Sequence, residues 1–360
     1  FQDVEDDALR GKFERLWGAK IPPKKGWHLT EMFEAMGRRE LTALYVIGEN
    51  PAQSEADSTH ALANLDGLEH LVVQDLFLTK TARMADVVLP ASASFAEAEG
   101  TVTNSERRVQ RVRRAVAPPV GARDDIQILC ELARRCGRDL GNPSAEELWN
   151  ELRQVSPMHA GMSYARLEEL GGIQWPCPDD SHPGTPSLHT RLWQEPLVGP
   201  RAPFHAVEHE APVDALDAEF PLRLTTGRRL ESFNTGVQSQ SYDSPLRRGE
   251  TIDVSPADAA RLELGEGELV RVTSRRGAVE APVRIDPKLR AGLVFMTFHF
   301  PDQVDTNTLT IDATDPKSGT AEFKAAAVRI EKLAAASRRA MRNSSTSASN
   351  LGSGAPSRKN

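Results

Sequence analysis

The sequence predicts two successive folds: an α/β domain built on a mostly parallel sheet, followed by a compact β-barrel. In the first part, short apolar runs alternate with helical segments, which is typical of parallel sheets. From Phe220 onward, several short strands and one small helix indicate a barrel. We therefore expect an α/β domain at 1–170, an irregular connection at 171–216, the barrel at 217–333 and a disordered tail at 334–360.

The α/β part contains three apolar runs that we interpret as strands. "LTALYVIGENP" (41–51) predicts a buried parallel strand that ends in a polar turn, and a helix can follow it. "LEHLVVQDLFLTKTARMADVVLP" (68–90) predicts a second strand, a short helix and a third strand that ends at Pro90. "DDIQILCELARRCG" (124–137) predicts an amphipathic helix, because acidic residues open it and basic residues precede the final glycine.

The barrel part is read from five short strand patterns, which are "PLRLTTG", "TIDVSP", "ELVRVTSRRGAVEAPVRID", "GLVFMTFHF" and "AAVRIEKL". A turn at Arg276 and Gly277 divides the third pattern into two alternating strands, which predicts a hairpin. "SPADAARLEL" (255–264) predicts a short helix capped by its serine.

Composition excludes several classes of protein. The 360 residues are 39% hydrophobic and 26% charged, and the net charge of −7 argues against a general nucleic-acid binder. The sequence contains no apolar run of about 20 residues, the length that a membrane span needs. Cys130, Cys136 and Cys177 form no CxxC pair, so we expect reduced, cytoplasmic thiols rather than a zinc or four-cysteine iron–sulfur site. The glycine-rich nucleotide loops and hydrolase motifs are also absent from the sequence.

Polar side chains follow the first two predicted strands. Glu49 and Asn50 come after the first, and Gln74 and Asp75 come after the second. Ligands of parallel sheets collect at the carboxyl ends of the strands. Carboxylates there can accept from a ribose hydroxyl or a guanine N–H, while amides can bond to a phosphate or a base edge. The alternative for both pairs is a helix cap or a turn.

"LTTGRRLESFNTG" (224–236) has an unusual density of hydrogen-bonding groups for an ordinary turn. Arg228 and Arg229 could form forked contacts with phosphate, and Gly227 and Gly236 would allow a ligand to approach the backbone closely. The alternative is a surface hairpin loop with solvated arginines.

Further polar residues lie near the end of the predicted barrel. Asn307, Thr310 and Lys324 are interspersed among its last strands, although a solvated edge position is the alternative for Lys324. We interpret His299 as a core or lining histidine rather than a metal ligand, because it lies in an apolar strand. "SERRVQRVRRAV" (105–116) could bind RNA or phosphate, but a salt-bridged strand and loop is favoured in an acidic protein.

Taken together, these segments resemble the molybdopterin oxidoreductase family. "VVQDLFLTKTARMADVVLPASASFAEAEGTVTNSERRVQ" is similar to the third domain of that family. "LTTGRRLESFNTG" resembles the opening of its C-terminal molybdopterin-dinucleotide-binding domain, and "NTLTIDATDP" and "AEFKAAAVRIE" resemble the closing motifs. The order and spacing agree over roughly residues 4–333. The resemblance implies a Rossmann-like domain followed by a double-psi-type barrel.

Within the family, three segments are most similar to the alpha subunit of cytoplasmic formate dehydrogenases, namely "IQWPCPDDSHPGTPSLHT", "FERLWGAKIPPKKG" and "ALYVIGENPAQSEAD". Assimilatory nitrate reductases share parts of these patterns and are the alternative. A non-catalytic binding or assembly module that kept the fold is a third possibility.

The resemblance implies an enzyme that holds molybdenum, or tungsten, between two pyranopterin guanine dinucleotides. In it, formate is oxidised to carbon dioxide and two electrons leave through iron–sulfur clusters. By motif position, the resemblance assigns cofactor contacts to Glu49, Asn50, Gln74, Asp75, Asp125, Thr226, Gly227, Arg228, Arg229, Leu230, Glu231, Ser232, Phe233, Asn234, Thr235, Phe298, Asn307 and Lys324.

These contacts divide into three groups. Gln74, Asp75 and Asp125 would contact guanosine, with Glu49 and Asn50 close to the same dinucleotide. The loop at 226–235 would wrap the phosphates and the pterin. Phe298, Asn307 and Lys324 would complete the pterin pocket, where donors and acceptors are physically apt.

The sequence departs from the family pattern at its start. The family's 4Fe-4S cysteines are absent, as is the segment with the Cys or selenocysteine metal ligand and its neighbouring His and Arg. We therefore expect a fragment without catalytic or metal-ligating residues, whose partners are the N-terminal domains of the same subunit. The resemblance also implies a diaphorase partner with flavin and iron–sulfur subunits that passes electrons to NAD. The family's "PEYK" stretch reads "AEFK" here, which retains Lys324.

Overall fold

The computed structural model describes residues 2–188, 204–230, 232 and 249–333. Within these residues the helices are α1 (Asp7–Trp17), α2 (Leu29–Gly37), α3 (Pro51–Ser54), α4 (Ser58–Asp66), α5 (Lys80–Met84), α6 (Asp125–Arg135), α7 (Ala145–Val155), α8 (Tyr164–Glu169) and α9 (Pro256–Arg261). The strands are β1 (Ala43–Ile47), β2 (His70–Asp75), β3 (Val87–Pro90), β4 (Gly100–Thr103), β5 (Arg108–Val112), β6 (Ile173–Gln174), β7 (Leu222–Gly227), β8 (Ile252–Val254), β9 (Leu269–Thr273), β10 (Ala278–Ile285), β11 (Leu293–Thr297) and β12 (Ala326–Lys332).

The first sheet is parallel, as the sequence predicts, with strand order β1-β2-β3. Leu71 and Val73 of β2 are buried in a cluster with residues of α5. Ile47 and Val87 are 42% and 41% exposed. The expectation of a buried first strand is therefore only partly right: Val46 is buried, but the described residues leave Ile47 on the same strand accessible.

The predicted helix at 124–137 is α6, and its ends follow the predicted chemistry. The Asp124 carboxylate accepts a hydrogen bond from the backbone N–H of Gln127 at 2.9 Å, which caps the first turn. Arg134 and Arg135 lie in the last turn, where the helix dipole favours positive charge. Gly137 follows in the left-handed conformation, with φ of 81°.

A second, antiparallel sheet of order β4-β5-β6 packs with α7 and α8. Its core joins Val109 to Trp149 and Met162, and Cys177 is fully buried beside them. The basic stretch at 105–116 belongs to this sheet. Its arginines form ion pairs, for example Arg111 with Glu99, which confirms the salt-bridged interpretation.

The six strands of the second half form a closed barrel of order β10-β8-β11-β7-β12-β9, which confirms the predicted architecture. The hairpin of β9 and β10 is present, and the Ser274 N–H donates to the Gly277 carbonyl at 2.9 Å across its turn. Alternate residues of each strand face inward. Five that are at most 1% exposed are Leu222, Leu224, Ile252, Val294 and Met296.

Polar contacts join the barrel to the first half. The Gln53 amide donates to the Asp302 carboxylate at 2.7 Å, and His60 Nδ1 lies 2.7 Å from Asp312 Oδ2. The Thr30 hydroxyl donates to the Gly319 carbonyl at 2.9 Å. The ends of α2, α3 and α4 are thereby fixed against loops of the barrel. Among the described residues, none of the helices has the length and apolar character needed to cross a bilayer.

Candidate functional site

The two polar residues in the turn after β1 differ in exposure to solvent. Glu49 is exposed, whereas Asn50 is buried. The side-chain oxygen of Asn50, Oδ1, accepts from the Thr81 backbone N–H at 3.1 Å and from the Thr81 hydroxyl at 2.7 Å. The Asn50 NH₂ group donates to Gln53 Oε1 at 2.6 Å. Asn50 therefore ties the turn after β1 to the first turn of α5, and its contact with a cofactor stays a prediction.

The end of β2 carries a buried amide between two other polar groups. Gln74 is fully buried, its side-chain Oε1 accepts from the Tyr45 hydroxyl, and its side-chain NH₂ group donates to the Asp125 carboxylate. The fold thus brings Gln74 and Asp125 together from positions 51 residues apart. Burial raises the pKa of the neighbouring Asp75, whose carboxylate accepts from the Phe77 N–H at 3.0 Å.

A cavity of about 450 Å³ lies beside Asp125, between the N-termini of α6 and α7. The residues that line it include Ser92, Glu99, Asn142 and Ser144. The Ser92 hydroxyl is buried and has no hydrogen-bond partner among the described residues. Carboxylates, an amide and hydroxyls suit a ligand with several N–H and O–H groups, such as a nucleobase with its ribose.

Two cations and an aromatic ring lie close together near the C-terminal end of β7. The guanidinium of Arg228 lies 5.3 Å from the centroid of the Phe298 ring, and the Lys324 ammonium lies 5.7 Å from it. Lys324 Nζ also donates to the Thr226 carbonyl at 2.8 Å. Partial burial, and then the charge of Arg228, lower the pKa of Lys324. The Thr226 hydroxyl donates to the Phe323 carbonyl at 2.7 Å, which holds the strand end beside Lys324.

The two consecutive arginines have different environments. Arg228 is exposed, whereas the Arg229 side chain is 12% exposed and turns toward the barrel. Arg229 Nη2 donates to the Asp253 carboxylate at 3.0 Å and to the Thr251 hydroxyl at 2.7 Å. The guanidinium of Arg229 thus already bonds to a buried carboxylate, and the phosphate contacts expected of Arg228 and Arg229 both stay predictions.

The packing of a neighbouring ring explains why position 227 is a glycine, which the sequence does not reveal. A Cβ atom at this position would lie 2.7 Å from the ring of Phe295 on the neighbouring strand. The glycine thus accommodates that ring. Its expected role, the close approach of a ligand to the backbone, stays a prediction.

The rest of the predicted loop is only partly described. Leu230 is fully exposed, and the Ser232 N–H donates to the Arg229 carbonyl at 3.2 Å. Four of the predicted contact residues, and the second glycine of the motif, lie outside the described residues: Glu231, Phe233, Asn234, Thr235 and Gly236.

Asn307 lies where the barrel meets the first half. It is 3% exposed, and its NH₂ group donates to the carbonyls of Gln53 and Ser54 at 3.2 and 3.3 Å. Thr310 is buried beside it, and its hydroxyl donates to the Asn307 carbonyl at 3.0 Å. Asn307 therefore connects the barrel to α3, and a pterin contact from the same side chain stays a prediction.

Sequence reasoning missed two buried polar residues near these strand ends. Thr81 bridges Asn50 and the backbone N–H of Ala52, to which its hydroxyl oxygen is 3.1 Å distant. Glu250 is buried, and its carboxylate accepts from the N–H groups of Thr251 and Thr297, both at 3.0 Å. Burial raises the pKa of Glu250. Thr81 lies in the quoted segment "VVQDLFLTKTARMADVVLP" without standing out there, and Glu250 lies in no quoted motif, so only their contacts reveal the two residues.

The described residues contain no group of three or more His, Cys, Asp or Glu side chains that could hold a metal ion. The polar side chains instead form two sets, with carboxylates and an amide at the parallel sheet and cations with an aromatic ring at the barrel. These two sets of groups are chemically suited to the class of protein that binds an extended, partly anionic organic ligand.

Comparison with known families identifies that class. Residues 10–135 match the family described as "Molybdopterin oxidoreductase", and residues 222–327 match the "Molydopterin dinucleotide binding domain". The chain belongs to the molybdopterin oxidoreductase family.

Individual relatives extend over both matched regions. The chain is 42% identical over 327 residues to F420-dependent formate dehydrogenase 2 subunit alpha of Methanococcus maripaludis, covering 89% of this chain and 48% of that protein. It is 36% identical over 343 residues to the assimilatory nitrate reductase catalytic subunit of Bacillus subtilis, covering 92% and 48%. The chain thus spans about half the length of these relatives.

A solved structure is similar in fold. Acetylene hydratase from Pelobacter acetylenicus aligns with a TM-score of 0.62 at 22% identity, covering 92% of this chain and 50% of that one. At this identity, the comparison supports the fold: a parallel-sheet α/β part and a closed six-stranded barrel.

Proposed function

We propose that the chain is the cofactor-holding C-terminal half of a formate dehydrogenase alpha subunit, a cytoplasmic enzyme that oxidises formate to carbon dioxide. Three relatives named as F420-dependent formate dehydrogenase alpha subunits are 36% to 42% identical to it. The proposal includes the domain limits 1–170, 171–216 and 217–333.

The observation that carries this proposal is the cluster of Arg228, Lys324 and Phe298 at the barrel end. Two cations beside one aromatic ring suit a pyrophosphate joined to a flat heterocycle, because the charges pair with phosphate and the ring offers a stacking surface. The molybdopterin guanine dinucleotide has both groups. The donor set of this chain therefore fits the cofactor that the family implies.

The residues at the parallel sheet fit the other end of the same dinucleotide. Asp125 and Asp75 are carboxylates, which can accept the N–H groups of a guanine edge or the hydroxyls of a ribose. Gln74 would orient Asp125, since its amide is held between that carboxylate and the Tyr45 hydroxyl. We propose Glu49, on the exposed turn after β1, as a further contact near the same dinucleotide.

When bound, the molybdenum or tungsten centre would supply the two-electron redox chemistry. The residues of this chain would bind and orient the dinucleotides: Lys324 and Arg228 would neutralise phosphate charge, and the loop at 226–235 would surround the phosphates and the pterin. Neither the metal ligand nor the iron–sulfur cysteines of the family are assigned to this chain.

The active enzyme would then include a further part of the subunit that supplies those groups. Two observations support this proposal: the chain spans about half of its relatives, and Ile47, Val87 and Phe77 expose apolar side chains at the parallel sheet and the loop after it. Electrons would leave through 4Fe-4S clusters to a flavin-containing diaphorase partner that reduces NAD.

Nitrate reduction is the second candidate, because the Bacillus subtilis nitrate reductase subunit is also 36% identical to the chain. To separate the candidates, the codons upstream of Phe1 would be read and the complete frame expressed in a host that supplies molybdenum or tungsten. The proposal expects formate-dependent reduction of a low-potential dye. Nitrate-dependent oxidation of the reduced dye would favour the second candidate, and a start codon close to Phe1 would favour a non-catalytic module.

A further inference from the structure

His299 is a fully buried histidine at the end of β11, and it contacts the loop that follows β7. Its Nε2 atom accepts a hydrogen bond from the backbone N–H of Arg229 at 2.9 Å. Because an imidazole nitrogen can accept only through its lone pair, this contact requires the neutral ring with its proton on Nδ1. The rings of Phe298 and Phe300 lie 5.7 and 6.1 Å from the imidazole centroid and restrict its orientation.

Arg229 is thereby held at both its main chain and its side chain. His299 bonds to its N–H, while Asp253 and Thr251 bond to its guanidinium. The Asp253 side chain is 1% exposed, so this anchor lies in the wall of the barrel. A residue with two such anchors cannot shift without breaking one of them, and it therefore fixes the backbone of residues 228–230, where the described part of the loop begins.

The fixed loop sets the position of the preceding residue. The Arg228 guanidinium lies over the ring of Phe298, the residue directly before His299 in the chain. The two residues that follow β11 in this contact therefore act on neighbouring arginines. Phe298 provides the ring beneath Arg228, and His299 accepts the hydrogen bond from the backbone of Arg229. A change at His299 would displace the guanidinium relative to the ring and to Lys324 without altering the Arg228 or Lys324 side chain itself.

We infer that His299 is a positioning residue for the anion-binding cluster of Arg228, Lys324 and Phe298, and that Arg229 is the internal anchor through which it acts. The inference rests on the proposed function in one respect, that this cluster binds the pyrophosphate of a dinucleotide. It adds that the two arginines have different roles: Arg228 contacts the ligand, whereas Arg229 and His299 position the backbone beside it.

The test compares two polar substitutions of different length in the 360-residue chain. In His299→Gln, the side-chain oxygen can reach the Arg229 N–H, whereas in His299→Asn the side chain is too short. Binding of inorganic pyrophosphate would be measured by calorimetric titration. Hydrogen exchange would be followed by mass spectrometry in peptides that contain residues 227–230 and in peptides from β8 and β9.

We expect His299→Gln to bind pyrophosphate within about twofold of the wild type and His299→Asn to bind at least about fivefold more weakly, the effect of losing one hydrogen bond. Exchange should rise in the Asn variant only in the peptides with residues 227–230. Equal affinities of the two variants, or faster exchange throughout the barrel, would overturn the inference while leaving the proposed function intact. No pyrophosphate binding by the wild type would overturn the proposed anion site and the inference together.

Discussion

The parallel sheet and the barrel bury their apolar residues to very different extents. In the barrel, Leu224 on β7 and Val294 on β11 are both fully buried, and the ring of strands leaves no free edge. In the parallel sheet, Val73 is fully buried on the face toward α5, but Ile47 is 42% exposed. The barrel completes its own core, whereas the described residues cover the sheet mainly from one side.

This difference shows how each region can position ligand groups. The barrel holds Arg228 and Lys324 on strand ends that its own closed core fixes. The carboxylate of Asp125 instead depends on a chain of side-chain contacts through Gln74 to Tyr45. We therefore expect substitutions in the barrel core to affect stability most, and substitutions in the sheet to affect ligand contacts more than folding.

The largest expected effect is that of a core truncation in the barrel. Leu224→Ala should lower the free energy of unfolding by about 3 kcal/mol, because it removes buried methyl groups and leaves a cavity. Ile47→Ala, the matched change in the sheet, should cost about 1 kcal/mol or less, since its side chain is partly in solvent. Urea unfolding monitored by circular dichroism would measure both, and equal costs would contradict the comparison.

The second effect concerns the junction of the two regions. Asn307→Ala should lower the free energy of unfolding by about 2 kcal/mol, because it leaves the carbonyls of Gln53 and Ser54 without their donor. Gln154→Ala, an exposed amide on α7, is the control and should change stability by no more than about 0.5 kcal/mol. A cost at Asn307 no larger than that of the control would show that the two regions are not joined through this side chain.

A smaller, pH-dependent effect is expected at Glu250. Burial raises its pKa in the folded state, so the stability that its protonated form contributes is present below the unfolded-state pKa of about 4.3 and is lost as pH rises through the raised value. Glu250→Gln removes this titration. In thermal unfolding from pH 4 to pH 8, the melting temperature of the variant should therefore rise relative to that of the wild type as pH increases. Glu169→Gln, at an exposed position of α8, should run parallel to the wild type.

The smallest expected effect is a pH dependence of anion binding at Lys324. Its pKa is lowered by burial and Arg228, so the ammonium loses its proton earlier than a free lysine does, although the nearby Glu322 opposes this shift. Pyrophosphate affinity should be full below that pKa and should fall as pH rises through it. Lys324→Arg stays charged and should bind with little change up to about pH 10. Parallel loss of affinity in both proteins would exclude Lys324 as the titrating group.

Local patterns predict most of the fold. Alternating strands, the serine cap of α9 and the acidic start of α6 are readable from neighbouring residues, and the structure confirms all three. The small sheet of β4, β5 and β6 was not predicted, because its central strand is rich in arginine and lacks a clear apolar alternation. Its stability comes from distant partners such as Trp149.

The candidate site is less readable because its contacts span long stretches of sequence. The sequence marks Arg228 and Arg229 as equivalent, and only the placement of Asp253 on β8 shows that Arg229 turns inward. Likewise, Gln74 and Asp125 are both recognisable as polar residues at element ends, but their hydrogen bond depends on how α6 docks against the sheet. The sequence shows which polar residues are present, but it does not show which of them bond within the protein and which are available to a ligand.

The central claim, that this chain binds a guanine dinucleotide with Asp125 of α6 at the guanine end, is tested most directly by titrating the 360-residue chain with GDP and with ADP. The account predicts that GDP binds more tightly than ADP and that Asp125→Ala removes this preference, because the carboxylate accepts the N–H groups of guanine that adenine lacks. Equal binding of the two nucleotides by the wild type, or an unchanged preference in Asp125→Ala, would contradict the account.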